Sequence, residues 1–91
     1  MRKKYSPLTQ SCLTRFTAMI DAYEREGEAF DSIGGDRIFT PQQVAHILDT
    51  STTTVASLVK SGRLQARTFG KVVRFLEGDV MSFIGVRHET V

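Results

Sequence analysis

Ninety-one residues with 41% apolar and 24% charged side chains make one small domain, because a chain this short buries only about two-thirds of its unfolded surface and has nothing left for a second core. The net charge of +2 is too mild to announce a polyanionic partner, and a single cysteine, Cys12, excludes an internal disulfide and fits a reducing, cytoplasmic setting. No run of about 18 apolar residues is present and no apolar stretch follows the cations of MRKKYSPLTQ, so neither a membrane span nor a secretion signal is expected.

The charge is unevenly divided. Residues 1–36 carry five basic and six acidic side chains, whereas residues 37–91 carry seven basic and four acidic ones. Any affinity for a polyanion therefore belongs to the second part.

Ser6 followed by Pro7 predicts a helix start, with a hydroxyl cap and a proline whose missing N–H is harmless at the first position. Leu13, Phe16, Ile20 and Tyr23 then recur at spacings of three and four, which draws an apolar stripe down a helix ending near Gly27. Cys12 reads as a half-buried small apolar residue of that helix, and Arg15, Asp21, Glu24, Arg25 and Glu28 as its solvated face. GEAFDSIGGDR breaks the pattern. Its glycines at 34 and 35 predict a flexible connection, with Phe30 and Ile33 as anchors onto the main body.

FTPQQVAHIL is the cleanest local signal: Thr40 caps, Pro41 takes the first helical position and Gln43 completes a capping box, with Val44, Ile47 and Leu48 on one face. After the polar turn DTS a second short helix begins with Ser51 or Thr52 at its cap, buries Val55, Leu58 and Val59, and ends at Gly62. Two short helices joined by about three residues have the spacing of a helix-turn-helix.

LQARTFGKVVRFL then favours strand on both sides of Gly70-Lys71, which predicts a small hairpin. An inward Phe69 puts Arg67 on the same side under a period of two, so either a bulge intervenes or the Arg67 stem lies along the core with its head in water. EGDVMSFI predicts a last helix with Val80, Phe83 and Ile84 facing inward, and GVRHETV shows no pattern.

Helix, turn, helix, hairpin and helix in this order resemble the winged helix-turn-helix of the excisionase and MerR-like superfamily. The likeness covers about residues 38 to 84, carried by TPQQVAHIL, STTTVASLVKSGRL, FGKVVRF and GDVMSFI. The fold class expected is mainly α with a small β-hairpin, a winged helix-turn-helix with an added N-terminal helix. Residues 1–36 form a helix and linker for packing or self-association, 37–86 the winged domain, and 87–91 a tail. Excisionases, or recombination directionality factors, are small proteins that bind near the attachment sites of mobile elements. The resemblance implies cooperative DNA binding, DNA bending and assistance to an integrase of the tyrosine recombinase class. Family members often carry basic or aromatic residues in the recognition helix where this chain has Thr52, Ala56 and Ser57, so bidentate Arg–guanine pairs from this helix are not expected.

A helix end docked in a major groove needs cations for the flanking phosphates, which occur at about one charge per 1.7 Å of duplex axis. The recognition-helix residues expected at double-stranded DNA are Ser51, Thr52, Thr53, Thr54, Ser57 and Lys60. Arg63, Arg67, Lys71 and Arg74 are expected to contact it from the wing and its flank, and Thr40 and Gln42 from the start of the preceding helix. Acidic Asp21, Glu24, Glu26, Glu28 and Asp31 on one segment, opposed to cations on the other, predict head-to-tail self-association on DNA. His46 and His88 stand far apart without carboxylates or cysteine at ligand spacing, and no nucleophile–base set or glycine-rich phosphate loop is present. No metal, cofactor, small-molecule ligand, membrane contact or catalysis is expected. A small transcriptional regulator on the same fold, or a protein-binding adaptor without DNA contact, are the competing readings.

Overall fold

The computed structural model describes residues 5–85. Helix α1 (Pro7–Arg25) leads into a short hairpin of β1 (Ser32–Ile33) and β2 (Asp36–Phe39). Helices α2 (Pro41–Leu48) and α3 (Thr52–Lys60) follow, then the hairpin β3 (Arg67–Phe69) and β4 (Val72–Leu76), and finally α4 (Glu77–Ile84). The helix-turn-helix is α2–α3, and the β3–β4 hairpin is its wing.

Local chemistry accounts for most of the boundaries. Ser6 Oγ accepts from the Thr9 N–H at 3.1 Å to start α1. The capping box forms in full, with Thr40 Oγ1 accepting from the Gln43 N–H at 3.1 Å and Gln43 Oε1 from the Thr40 N–H at 2.8 Å. Of the two candidate caps for α3, Ser51 is the one used, its Oγ accepting from the Thr54 N–H at 3.2 Å. The turn between α2 and α3 passes through Asp49 at φ 57°, the one non-glycine residue among those described with a left-handed backbone.

The segment expected to be a flexible connection is instead a second hairpin. Gly34 and Gly35 have φ of 58° and 88°, the pair of positive values that a two-residue I′ turn requires. Strand β2 then pairs antiparallel with β4 (Ile38 with Leu76, Phe39 with Phe75), giving one four-stranded sheet in the order β1-β2-β4-β3. The short DRIF stretch offers too little alternation to reveal a strand in isolation, since its partner lies far along the chain. Phe30 does anchor, stacked on Tyr23 at 4.4 Å and edge-on to Phe39 at 5.5 Å between ring centroids. Ile33 does not, being 50% exposed.

The core gathers Phe39, Val44, Ile47, Val55, Leu64, Phe75 and Val80, with Cys12, Met19 and Ile20 from α1 in the same cluster. Cys12 is buried outright, not half-buried, and Leu13, Phe16 and Tyr23 only partly so, so the inward stripe of α1 is rotated toward Thr9, Cys12, Met19 and Ile20. Two polar links add to this packing. Arg15, read as solvated, donates from Nε to the Ile47 carbonyl at 2.9 Å, where α2 leaves its last carbonyls unpaired. Thr9 Oγ1 donates to the Ile84 carbonyl at the end of α4.

Asp36 on β2 takes over the start of α4, whose N-cap residue Leu76 has no side chain able to cap: Asp36 Oδ2 accepts from the Gly78 N–H at 3.3 Å. Arg37 pairs with Glu77 at 3.0 Å beside it. The expected tail at residues 87–91, with His88, lies outside the described residues.

Candidate nucleic-acid interface

Helix α3 turns Val55 inward, with Leu58 and Val59 partly buried beside it. Thr53, Ser57 and Lys60 are exposed and fall at steps of four and three, which places them in one outward stripe. Thr52 and Ala56 border that stripe on the side facing the wing, where they share a furrow of about 220 Å³ with Val59, Val73 and Phe75. Thr54 borders it on the other side, in a cleft with Leu8, Leu58, Arg63 and Phe83. The start of α3 and the inner face of the wing thus stand side by side across an apolar furrow.

The four hydroxyls that open α3 are not equivalent. Ser51 and Thr54 are committed to the cap, with their side-chain oxygens 3.2 Å apart. Thr52 and Thr53 are exposed at the first two helical positions, beside N–H groups that a helix start leaves open. Thr40 is half-buried and holds the capping box of α2, while Gln42 is exposed one residue inside that helix.

In the wing, Gly70 takes φ 69° at the first central position of a two-residue turn and Lys71 does not share a positive φ, the arrangement of a II′ turn. Lys71 is exposed there. The register is regular, Arg67 opposite Arg74, Thr68 opposite Val73 and Phe69 opposite Val72, so no bulge intervenes.

Phe69 does not point inward: it is 41% exposed and shares its face with Val72, Arg67 and Arg74, while Val73 and Phe75 face α3. Counting back from the buried Phe75 across a two-residue turn reaches this result, because Phe69 pairs with Val72, an odd number of steps from Phe75. The same count reveals Val73 as a wall of the furrow, a position that a search for cations passes over.

The cations divide accordingly. Lys60 and Lys71 are exposed on α3 and at the wing tip, and Arg63 lies on the α1–α4 side of α3. Arg67 is held by Asp79 at 3.5 Å. Arg74 donates from Nη1 to the Val73 carbonyl at 2.8 Å and borders a cleft with Tyr23, Asp31 and Thr40. Arg67 and Arg74 therefore lie on the reverse face of the wing, apart from the α3 stripe.

Residues 50–76, which span α3 and both wing strands, hold five cations and no carboxylate. The segment itself offers a polyanion no like charge, and the carboxylates nearest it, Asp79 beside Arg67 and Asp31 in the cleft with Arg74, belong to the reverse face of the wing. Among the described residues no group of three or more His, Cys, Asp or Glu side chains is placed to hold a metal ion, and no helix is long and apolar enough to cross a membrane.

No curated protein and no solved structure matches the chain. A family model described as a helix-turn-helix domain matches residues 38–85, the span running from the end of β2 through α2, α3, the wing and α4. With its two short helices, its acid-free hairpin and its closing helix all inside that match, the chain belongs to the helix-turn-helix domain family.

Proposed function

We propose that this protein binds double-stranded DNA, laying the start of α3 in a major groove and the tip of the wing along the next minor groove. The observation that carries the reading is the shared furrow: Thr52 and Ala56 on α3 and Val73 on the wing line the same cleft, so two DNA-sized elements lie next to each other, which supports their entering adjacent grooves. Thr53, Ser57 and Lys60 supply hydroxyls and a cation to that side, and Lys71 a second cation at the tip. Short hydroxyl side chains read base edges with little discrimination, so DNA shape and deformability carry part of the specificity.

The biological role proposed is that of an excisionase-type recombination directionality factor, which bends attachment-site DNA for a tyrosine recombinase. The support is the resemblance of residues 38 to 84 together with the weak grip expected of one module, which buries only about 600–1,000 Å². Head-to-tail association along DNA compensates for that weak grip. It is favoured by the sheet order, which puts exposed Glu24 and Glu28, in one cleft with Ser32 and Gly35, near the β1 edge and the cationic wing at the opposite edge. A regulator of the same fold differs only in the site occupied, so footprinting separates the two: protection beside recombinase core sites supports the excisionase role, protection over a promoter the other.

The DNA reading is tested by titration against salt. Log affinity should fall with log salt by about 0.9 for each phosphate neutralised. Salt-independent binding, or none to any duplex, supports a protein-binding adaptor instead.

A further inference from the structure

Five large apolar side chains are exposed in the described residues, and three of them, Phe69, Val72 and Val73, surround the wing turn. Turn-flanking positions on an edge hairpin are ordinarily polar or charged, because an exposed apolar edge invites aggregation, and β3 is an edge strand of this sheet. Phe69 and Val72 are directly opposite each other at the very end of the hairpin, separated only by Gly70 and Lys71. They lie on the face that also carries Arg67 and Arg74 and is turned away from α3, so they enter a groove with the tip itself and not with the α3 side of the wing. The hairpin thus ends in an apolar pair with a cation between its members, inside a stretch without a single carboxylate.

We infer that Phe69, backed by Val72, is a wedge that enters the minor groove and partly unstacks one base step, kinking the duplex. The inference rests on the DNA-binding reading above. The occupant is set by charge: a minor groove has anionic walls for Lys71 and, between its base pairs, an apolar interior for a phenyl ring. The minor groove of unbent B-DNA, about 6 Å wide, is narrower than a hairpin with its side chains, so the turn enters together with the kink that opens the groove. Wedging between base steps kinks DNA toward the major groove and wraps more of it onto the protein. It also gives this chain a source of sequence preference that the short α3 side chains lack, since flexible pyrimidine–purine steps unstack more readily than A-tracts.

The test uses the full chain and two duplexes of about 30 bp, one of alternating TA steps and one A-tract, with dyes at the ends. One adenine of the alternating duplex is replaced by 2-aminopurine, which brightens when unstacked. Binding is followed separately by anisotropy. The wild type should shorten the end-to-end distance, brighten the 2-aminopurine and prefer the alternating duplex by about tenfold.

Phe69→Ala should still bind but lose the bend, the brightening and the preference. Phe69→Trp, the sole tryptophan in a chain that has none, should retain all three and lose most of its indole emission as it stacks on bases. Wild-type binding without bend or brightening, or a Phe69→Ala variant that keeps both, overturns the wedge and leaves DNA binding standing. Failure of the wild type to bind either duplex at low salt overturns both. Self-association of the free protein that Phe69→Ala abolishes shows the pair to be a protein contact and also overturns the wedge.

Discussion

Ser51 and Thr53 are two residues apart and chemically alike, yet they do different work. Ser51 holds the Thr54 N–H, so Ser51→Ala should lower stability by about 1 kcal/mol, read as a shift of the urea midpoint at constant slope. Thr53 is exposed and makes no such bond in the described structure. Thr53→Ala should leave the midpoint within a few tenths of a kcal/mol while changing which duplexes are enriched in a binding selection. Arg15 shows the converse, a surface-type residue with a structural task. Its guanidinium bonds the Ile47 carbonyl at the end of α2, and Arg15→Ala should destabilise by about 1–2 kcal/mol in the same assay.

The wing depends on its turn as an element. Gly70 at φ 69° occupies a region that other L-residues enter at about 1–2 kcal/mol. No atom crowds its vacant side. Gly70→Ala should therefore act through backbone strain alone, loosening the β3–β4 hairpin while α2 and α3 stay formed. Amide exchange accelerating in residues 67–74 and not in 41–60 would be the sign. The register explains why the two arginines of the wing part company with Lys71: alternation sends Arg67 and Arg74 to the face opposite Val73 and Phe75, and only the turn itself escapes that rule. Lys71 is recognisable as a tip residue from Gly70-Lys71 alone and Arg74 takes the face opposite its neighbour Phe75 on the same strand, whereas the face of Arg67 requires knowing the turn length.

Across the whole molecule, α1 is part of the same core as the helix-turn-helix. Met19 and Ile20 are 8% exposed and Cys12 4%, packed in one cluster with Val44, Ile47 and Ile84. Removing residues 1–26 should leave a chain without cooperative unfolding, checked by thermal circular dichroism, because a domain of this size has only about 5–15 kcal/mol to lose. At the same scale, replacing both Lys60 and Lys71 by Ala should lower the salt slope of DNA binding by about 2. Arg74→Ala should leave it where it was, since that guanidinium is bonded to the Val73 carbonyl and its strand position faces away from α3.

Helices α1 to α4 and the wing could be drawn from the chain alone, since their signals are local: a cap hydroxyl three residues from the N–H it receives, an apolar step of three or four, a glycine at a turn. Helix α3 and its hydroxyl stripe belong to that legible part. Folding in three dimensions settled the rest. It turned the Gly34-Gly35 segment into a hairpin whose strand pairs with residues about 37 positions away and gave the start of α4 to Asp36. Each of those depends on which strand lies next to which, and a period read along one segment carries no information about its neighbour across the sheet.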